Sequence, residues 1–380
     1  MKEDKLIELF DYAVIMRRKI HEYPEVGFEL GNTVKLVRAE LKKIGIESST
    51  EYGRGSVVAE IGKGEITVAF RADMDALPIE ENTDLPFKSK NPGKMHACGH
   101  DSHTAILLAA AKYLKENENL LKKKIRLIFQ PSEEGSVSGA KMMVDNNIMD
   151  NVSEILCTHC DNAIESGLIG IHPGAYMAAC APITVRFYGL TSHAAIPEAG
   201  IDAIAMAHEA YGKFREAVIE EAGKERYIWS VGRLSGGEAH NVIADRCEME
   251  ISFRFYDSEF ADRVKGRIFC IANAVAKRYG GRVEIDWKVS TGAVINDSSI
   301  TNNFRTAAME AGLNLTEMPQ KMSSEDFAHY LTKAPGMIFR FGTRNKASGC
   351  TATAHRSDFK IDEEGMKTAI KAFCAYALYN

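Results

Sequence analysis

The order in which helix and strand periodicities follow one another constrains this chain more than any single motif. Apolar positions at helical spacing fill residues 4–20 and 32–44, and β-rich runs follow at 56–61 and 66–70 around Gly62-Lys63-Gly64, which reads as a hairpin. An Ala/Leu-rich helix over 104–114, a buried strand over 125–129, a helix from 139 and a strand over 155–159 continue the alternation. Such alternation builds a wound α/β sheet with helices on its faces. Near Cys180 the texture changes: strand 183–189, helix 202–222, strands 227–234 and 247–256, helix 259–279 and strand 282–288. This β-α-β-β-α-β order is the split ferredoxin-like pattern. Helix 302–311, strand 336–341 and a helical stretch over 363–379 then resume the first pattern. The expected architecture is therefore α/β: a mixed sheet flanked by helices, built from 1–179 and 293–380, with an α+β domain inserted at 180–292.

Length agrees, since 380 residues exceed the roughly 250 to 300 at which a single core stops growing. A net charge of −5 gives no long-range attraction for nucleic acid or anionic lipid, and the basic clusters at 17–19 and 122–124 are too short to supply one. No apolar run approaches the roughly 20 residues that cross a bilayer, and the polar start at 1–5 lacks a signal-peptide core, so a cytoplasmic chain is expected. Eight scattered cysteines are too sparse for a disulfide scaffold in a chain of this length.

Chemistry concentrates at a few points. His96-Ala97-Cys98-Gly99-His100-Asp101 combines a thiol and an imidazole two apart, and Glu133-Glu134 follows an apolar run. In an extended segment Cys98 and His100 share a face, with Gly99 permitting close approach. Arg71 to Pro78, which includes Asp75, follows one strand, Glu133-Glu134 another, and His159 ends a third. Ligands of open α/β sheets bind beyond the carboxyl ends of strands. Each cluster alone has a structural explanation: a strand-end Asp caps a helix, paired Glu are solvated, and a lone Cys packs as a small hydrophobe. Together with His355, which precedes the last helix, they supply metal ligands and a general base.

These residues and further segments give the chain a family likeness. Arg18 to Glu25, Arg71 to Pro78, His96 to Asp101, Pro131 to Gly135, Ser192-His193-Ala194, His240 to Ile243 and Ser324-Glu325-Asp326-Phe327 occur in order along nearly the whole sequence. The chain resembles the metal-dependent aminoacylase and carboxypeptidase superfamily, in its hippurate hydrolase-like amidohydrolase branch.

That resemblance implies a dinuclear site in which Cys98, His100, Glu134, His159 and His355 hold two divalent ions, manganese or zinc first and nickel or cobalt next. Glu133 would be the general base and acid, and Asp75 would orient a ligand. It further implies that His193 reaches across a homodimer formed through the inserted lid domain, that Asn241, Arg254 and His240 contact substrate, and that Glu325 supports a metal ligand. The expected substrate is a small N-acyl amino acid or a short peptide. A metal-dependent dipeptidase or carboxypeptidase is the nearest alternative. A hydrolase with Cys98 as nucleophile and His100 as base is a different class, as is a thiol-disulfide protein built on Cys157-Thr158-His159-Cys160, which needs a helix N-terminus at its first cysteine.

Overall fold

The computed structural model, described for residues 1–379, resolves the chain into two compact units. The first comprises Met1–Tyr176, Ile295–Pro319 and the chain from Asp326 onward; the second comprises Met177–Val294 with Gln320–Glu325.

In chain order the first unit opens with helices α1 (Glu3–His21) and α2 (Gly31–Lys43) and strands β1 (Ser48–Ser49), β2 (Val57–Ile61) and β3 (Thr67–Asp73). Helix α3 (His100–Glu116), strand β4 (Lys124–Gln130), helix α4 (Gly139–Asp145) and strands β5 (Val152–Glu165) and β6 (Leu168–Ile171) follow. The second unit contributes β7 (Ala179–Tyr188), α5 (Ala203–Ala222), β8 (Ile228–Gly236), β9 (Arg246–Phe255), α6 (Ser258–Tyr279) and β10 (Arg282–Trp287). The first unit resumes with α7 (Ser298–Glu310), β11 (Asn314–Glu317), β12 (Gly336–Arg344) and α8 (Met366–Tyr379).

The first unit is a mixed eight-stranded sheet in the order β1-β2-β4-β3-β5-β12-β6-β11. Strands β4, β3, β5 and β12 run parallel, whereas β2 is antiparallel to β4. The hairpin expected from residues 56–61 and 66–70 does not form, because β4 lies between its two arms. The reason is burial: Ile125 to Gln130 are all buried, and a strand covered on both faces takes a central place with a neighbour on each side.

Helix α3 shows how the faces are covered. Ala105 to Ala111 are fully buried all around the helix, which packs against β3 and under α1 and α8. Its alanines allow that close approach, and burying Ile106, Leu107 and Leu108 stabilises the unit by about 1.5 to 3 kcal/mol each. Helix α1 instead buries a single stripe, Leu6, Leu9, Ala13, Met16 and Ile20, at spacings of three and four.

In the second unit a four-stranded antiparallel sheet has the order β8-β9-β7-β10. Strand β9 alternates, burying Cys247, Met249, Ile251, Phe253 and Phe255. Helices α5 and α6 pack on this sheet and on each other, each started by an aspartate, Asp202 or Asp257, whose carboxylate accepts from a first-turn backbone N–H.

Candidate metal centre

Strands β4, β3 and β5 are neighbours running the same way, so the segments leaving them emerge side by side. Asp75 follows β3 and Glu133-Glu134 follow β4. His159 lies within β5 rather than at its end, a correction to the expected strand over 155–159. Beyond Cys157 β5 has no further partner on β3 but continues beside β12, where His159 is level with Arg340. His159 is thereby held rigidly at the carboxyl edge of the sheet.

Cys98 and His100 are not on an extended segment. Gly99 has φ +83°, in the left-handed region, and His100 is the first residue of α3. A side chain on Gly99 would place Cβ 2.5 Å from Cys160 Sγ. A turn thus brings the two donors together, at a position only glycine fits.

Both histidines at this edge are fixed the same way. His100 Nδ1 donates to the Asp75 carbonyl oxygen at 2.8 Å, and His159 Nδ1 donates to the Cys160 carbonyl oxygen at 2.7 Å. A carbonyl only accepts, so Nδ1 carries a proton in each ring and Nε2 is the nitrogen left to serve as a metal ligand when it is unprotonated. His100 Nε2 is buried without a hydrogen-bond partner, and His159 Nε2 lies 3.3 Å from Cys98 Sγ.

Asp75 holds the two glutamates from below. Its Oδ1 accepts from Glu133 N at 2.9 Å and its Oδ2 from Glu134 N at 3.1 Å. Glu133 Oε2 and Glu134 Oε1 each lie 3.9 Å from His100 Nε2, and Glu134 Oε1 lies 3.0 Å from His355 Nε2. His355, itself at φ +69°, is tethered by its backbone N–H to the Ala97 carbonyl oxygen at 2.8 Å. Candidate donor atoms fall into groups that lie within 4.8 Å of one another: Cys98 with His100 and His159, Cys98 with Glu134 and His355, and His100 with Glu133 and Glu134. Cys98 belongs to two of these groups.

The protonation tendencies of these groups follow from burial and from their closeness to one another. Burial and the Glu134 carboxylate push the Cys98 thiol well above its ordinary range, which disfavours a free thiolate nucleophile. Burial opposes a proton on His100, yet Asp73, Cys98 and Asp75 together outweigh it and hold that imidazole well above its usual value. Burial also opposes ionisation of Glu134, but the bond from His355 keeps it low, and that bond raises His355 in turn. His159 is driven well below its usual value by burial and by Arg340. A buried thiol, imidazole nitrogens that offer a lone pair once deprotonated, and two carboxylates form a donor set suited to divalent cations. The unpartnered His100 Nε2 fits the same description.

The thiol-disulfide alternative fails on geometry. Cys157 and Cys160 are both buried inside β5, and neither stands at a helix N-terminus.

A second buried cluster lies behind the donors. His103, His159 and Cys160 are also close together, but both His103 nitrogens are occupied: Nδ1 donates to Asp73 Oδ1 at 2.6 Å and Nε2 accepts from Cys160 N at 2.9 Å. Asp73 Oδ2 takes Arg71 Nη1 at 2.7 Å, and Arg71 reaches on to Gln130 and Asp326. Sequence alone assigns no role to His103, Asp73, Arg71, Gln130 or Asp326. Its one available signal was the presence of charged Arg71 and Asp73 in a run, 67–73, that is buried throughout.

Comparison with known proteins fits this geometry. Residues 69–379 match peptidase family M20/M25/M40. The chain belongs to that family.

Among its M20 relatives, thermostable carboxypeptidase 1 of Saccharolobus solfataricus is 36% identical over 98% of this chain and 96% of its own length. N-acetyl-L-cysteine deacetylase of Bacillus subtilis is 37% identical over 96% of this chain and 86% of its own length. The crystal structure of the Bacillus subtilis YXEP protein, described as a dinuclear metal binding peptidase from the M20 family, superposes with a TM-score of 0.87 at 32% identity, covering 98% of both chains. This M20 chain is accordingly a metal-dependent hydrolase of amide bonds. Among the described residues, no helix is long and apolar enough to cross a membrane.

The remaining candidates of the M20 chain belong to its second unit. His193 pairs with Val242 on a two-residue ladder, and Ala194 N donates to the Asn241 carbonyl oxygen at 2.9 Å, so His193, His240 and Asn241 sit together in exposed positions. Arg254, on β9, is half-buried and donates from Nη1 to the Met322 carbonyl oxygen at 3.0 Å and to Ser324 Oγ at 3.1 Å. Glu325 is buried at the end of the Gln320–Glu325 segment.

Proposed function

We propose that this M20 chain hydrolyses small N-acyl amino acids, releasing a carboxylate and a free amino acid, with Glu133 as the general base and acid. The observation that carries the assignment is the placing of two adjacent glutamates by one carboxylate: Asp75 fixes both backbones, which sets Glu134 Oε1 3.0 Å from His355 Nε2 and Glu133 Oε2 3.9 Å from His100 Nε2. Cys98, His100, Glu134, His159 and His355 would hold two divalent ions, with manganese or zinc the first candidates and nickel or cobalt the next. Bound there, the ions supply Lewis acidity toward water and toward the scissile carbonyl. Glu133 accepts a proton from the attacking water on a carboxylate oxygen and delivers it to the departing amine nitrogen. Asp75, by holding the Glu133 and Glu134 backbones and the His100 ring, keeps base and donors in one geometry.

The deacetylase relative supports an N-acyl amino acid as substrate, and the carboxypeptidase relative, equally extensive along the chain, supports short peptides as a second reading. Asn241, Arg254 and His240 are assigned to substrate, Glu325 to support of a ligand, and His193 to a substrate contact made across a homodimer. Eight cysteines, all free, favour a reducing cytoplasmic setting.

Amine release from N-acetyl, N-benzoyl and dipeptide substrates, by chelator-stripped protein with and without manganese, zinc, cobalt or nickel, tests the reaction and separates the two substrate classes. Turnover that survives verified metal removal would overturn it. Glu133→Gln should retain both ions and lose about 10²- to 10⁴-fold in kcat, the usual worth of a positioned proton-transfer group. Mixing Glu133→Ala with His193→Ala protein should restore activity, and silent heterodimers would reject the intersubunit role.

A further inference from the structure

The loop that carries Glu133 and Glu134 is unusually tight, and its two ends meet on one anion. Ser132 has φ +50° although it is not glycine. Its side chain donates to the Val137 carbonyl oxygen at 2.7 Å, and its carbonyl accepts from Gly139 N at 2.9 Å. A Cβ on Gly139 would lie 1.7 Å from the Pro131 carbonyl oxygen, and one on Gly135 would lie 2.2 Å from Ser132 Oγ. A non-glycine residue in the left-handed region is kept there only when its surroundings over-determine it.

The buried carboxylate of Asp326 joins the two flanks of this loop. Its Oδ2 accepts from Gln130 Nε2 at 2.9 Å, at the loop's entry, and from Ser138 Oγ at 2.6 Å and Ala140 N at 3.2 Å, at its exit. Its Oδ1 accepts from Gln130 Nε2 at 3.0 Å and from Arg71 Nη2 at 2.9 Å. Arg71 is fully buried and links Asp326 to Asp73, and through His103 to the Cys160 backbone beside His159. Ser138 has a further duty, since its Oγ caps α4 by accepting from Lys141 N at 3.1 Å. The hydroxyl can accept there because its proton points to Asp326.

We infer that Asp326 is a positioning residue for Glu133: by closing both ends of the 131–139 loop on a single carboxylate, it fixes where the base stands relative to the donors. Asp326 acts through Gln130, Ser138 and the Ala140 backbone. The inference rests on the assignment of Glu133 as base. It gives a role to the second acid of Ser324-Glu325-Asp326-Phe327.

Asp326→Asn keeps the shape but sets an amide against donors that need an acceptor. In metal-free protein, amide hydrogen exchange over residues 133–140 should rise at least about tenfold, with strand β4 unchanged. In metal-loaded protein kcat should fall about 10- to 100-fold, the range for residues that orient a catalytic group through a neighbour, with KM within about threefold and two ions retained. Ser138→Ala, which leaves the Arg71–Asp326 pair intact, should show the same pattern at about 3- to 10-fold and serves if Asp326→Asn does not fold. Unchanged loop exchange or unchanged kcat in the folded variant overturns the inference, as does loss of an ion in step with activity, which would mark Asp326 as a support of the metal ligands instead. A wild-type enzyme without metal-dependent amide hydrolysis would refute the functional reading, and the exchange comparison would still decide whether Asp326 clamps the loop.

Discussion

Replacing Gly99 with alanine imposes two separable costs on one residue. The backbone angle of φ +83° disfavours any L side chain, at about 1 to 2 kcal/mol for the left-handed region. The added Cβ would also stand 2.5 Å from the sulfur of Cys160, a buried atom on a short side chain fixed in β5, and overpacking of that kind typically costs about 1 to 3 kcal/mol. Gly99→Ala should therefore destabilise the metal-free protein by about 2 to 5 kcal/mol. Because Gly99 lies between Cys98 and His100, affinity for divalent ions should fall at least tenfold as well. Urea unfolding followed by far-ultraviolet circular dichroism is the appropriate assay, since Trp229 and Trp287 both lie in the second unit and their fluorescence reports there. The decisive comparison adds Cys160→Ala alone and the double variant. Removing the sulfur should recover the steric part, giving a favourable coupling of about 1 to 3 kcal/mol, while the backbone part remains. Additive losses would refute the assigned clash, and a Gly99→Ala protein within about 0.5 kcal/mol of wild type would refute the whole argument.

Other outcomes follow from the same site. His103→Ala should destabilise the protein by about 2 to 6 kcal/mol, because it strips a partner from buried Asp73 and from the Cys160 N–H, each worth about 1 to 3 kcal/mol when left unsatisfied; a loss below about 1 kcal/mol in urea unfolding would contradict this. In metal-free protein the proton resonances of His355 should titrate above the ordinary 6.5, and Glu134→Gln should return the midpoint toward that value. Since His355 is raised and Glu134 lowered, the pair's contribution is complete between about pH 4.5 and 6.5, fades as pH rises through the folded His355 midpoint, and fades as pH falls through that of Glu134. Divalent ions at 100 times their dissociation constant should add about 2.7 kcal/mol of stability and release protons on binding, measured by calorimetry in two buffers of different ionisation enthalpy; ion binding without proton release would contradict the raised His100 and His355.

The limits of sequence reading show at particular residues. Apolar periodicity located most helices and strands of both units, because burial on one face leaves its period in the chain. It failed at residues 56–70, where two strands close in sequence are not partners. The fully buried run of β4 could announce that it was central but not between which strands it would insert. Helix α7 begins at Ser298 rather than near 302, since its start is set by Asp297, whose carboxylate accepts from Ser299 N and Ile300 N and leaves no apolar signal. Cys98 and His100 were recognisable as donors from residue type, yet their convergence comes from the left-handed turn at Gly99 rather than from an extended strand.

What the sequence determined by itself was chemical: the donor types, the paired glutamates, and the alternation that fixes an α/β sheet with a βαββαβ stretch within it. Tertiary structure decided which polar groups hold the others. Asp73, Arg71, His103 and Asp326 lie up to 255 positions apart in the chain and exchange hydrogen bonds with one another or with the base-bearing loop. Their partners are set by where parallel strands end beside each other. Local periodicity is a property of neighbouring residues, whereas satisfying a buried charge is a property of whatever the fold brings within about 3 Å of it.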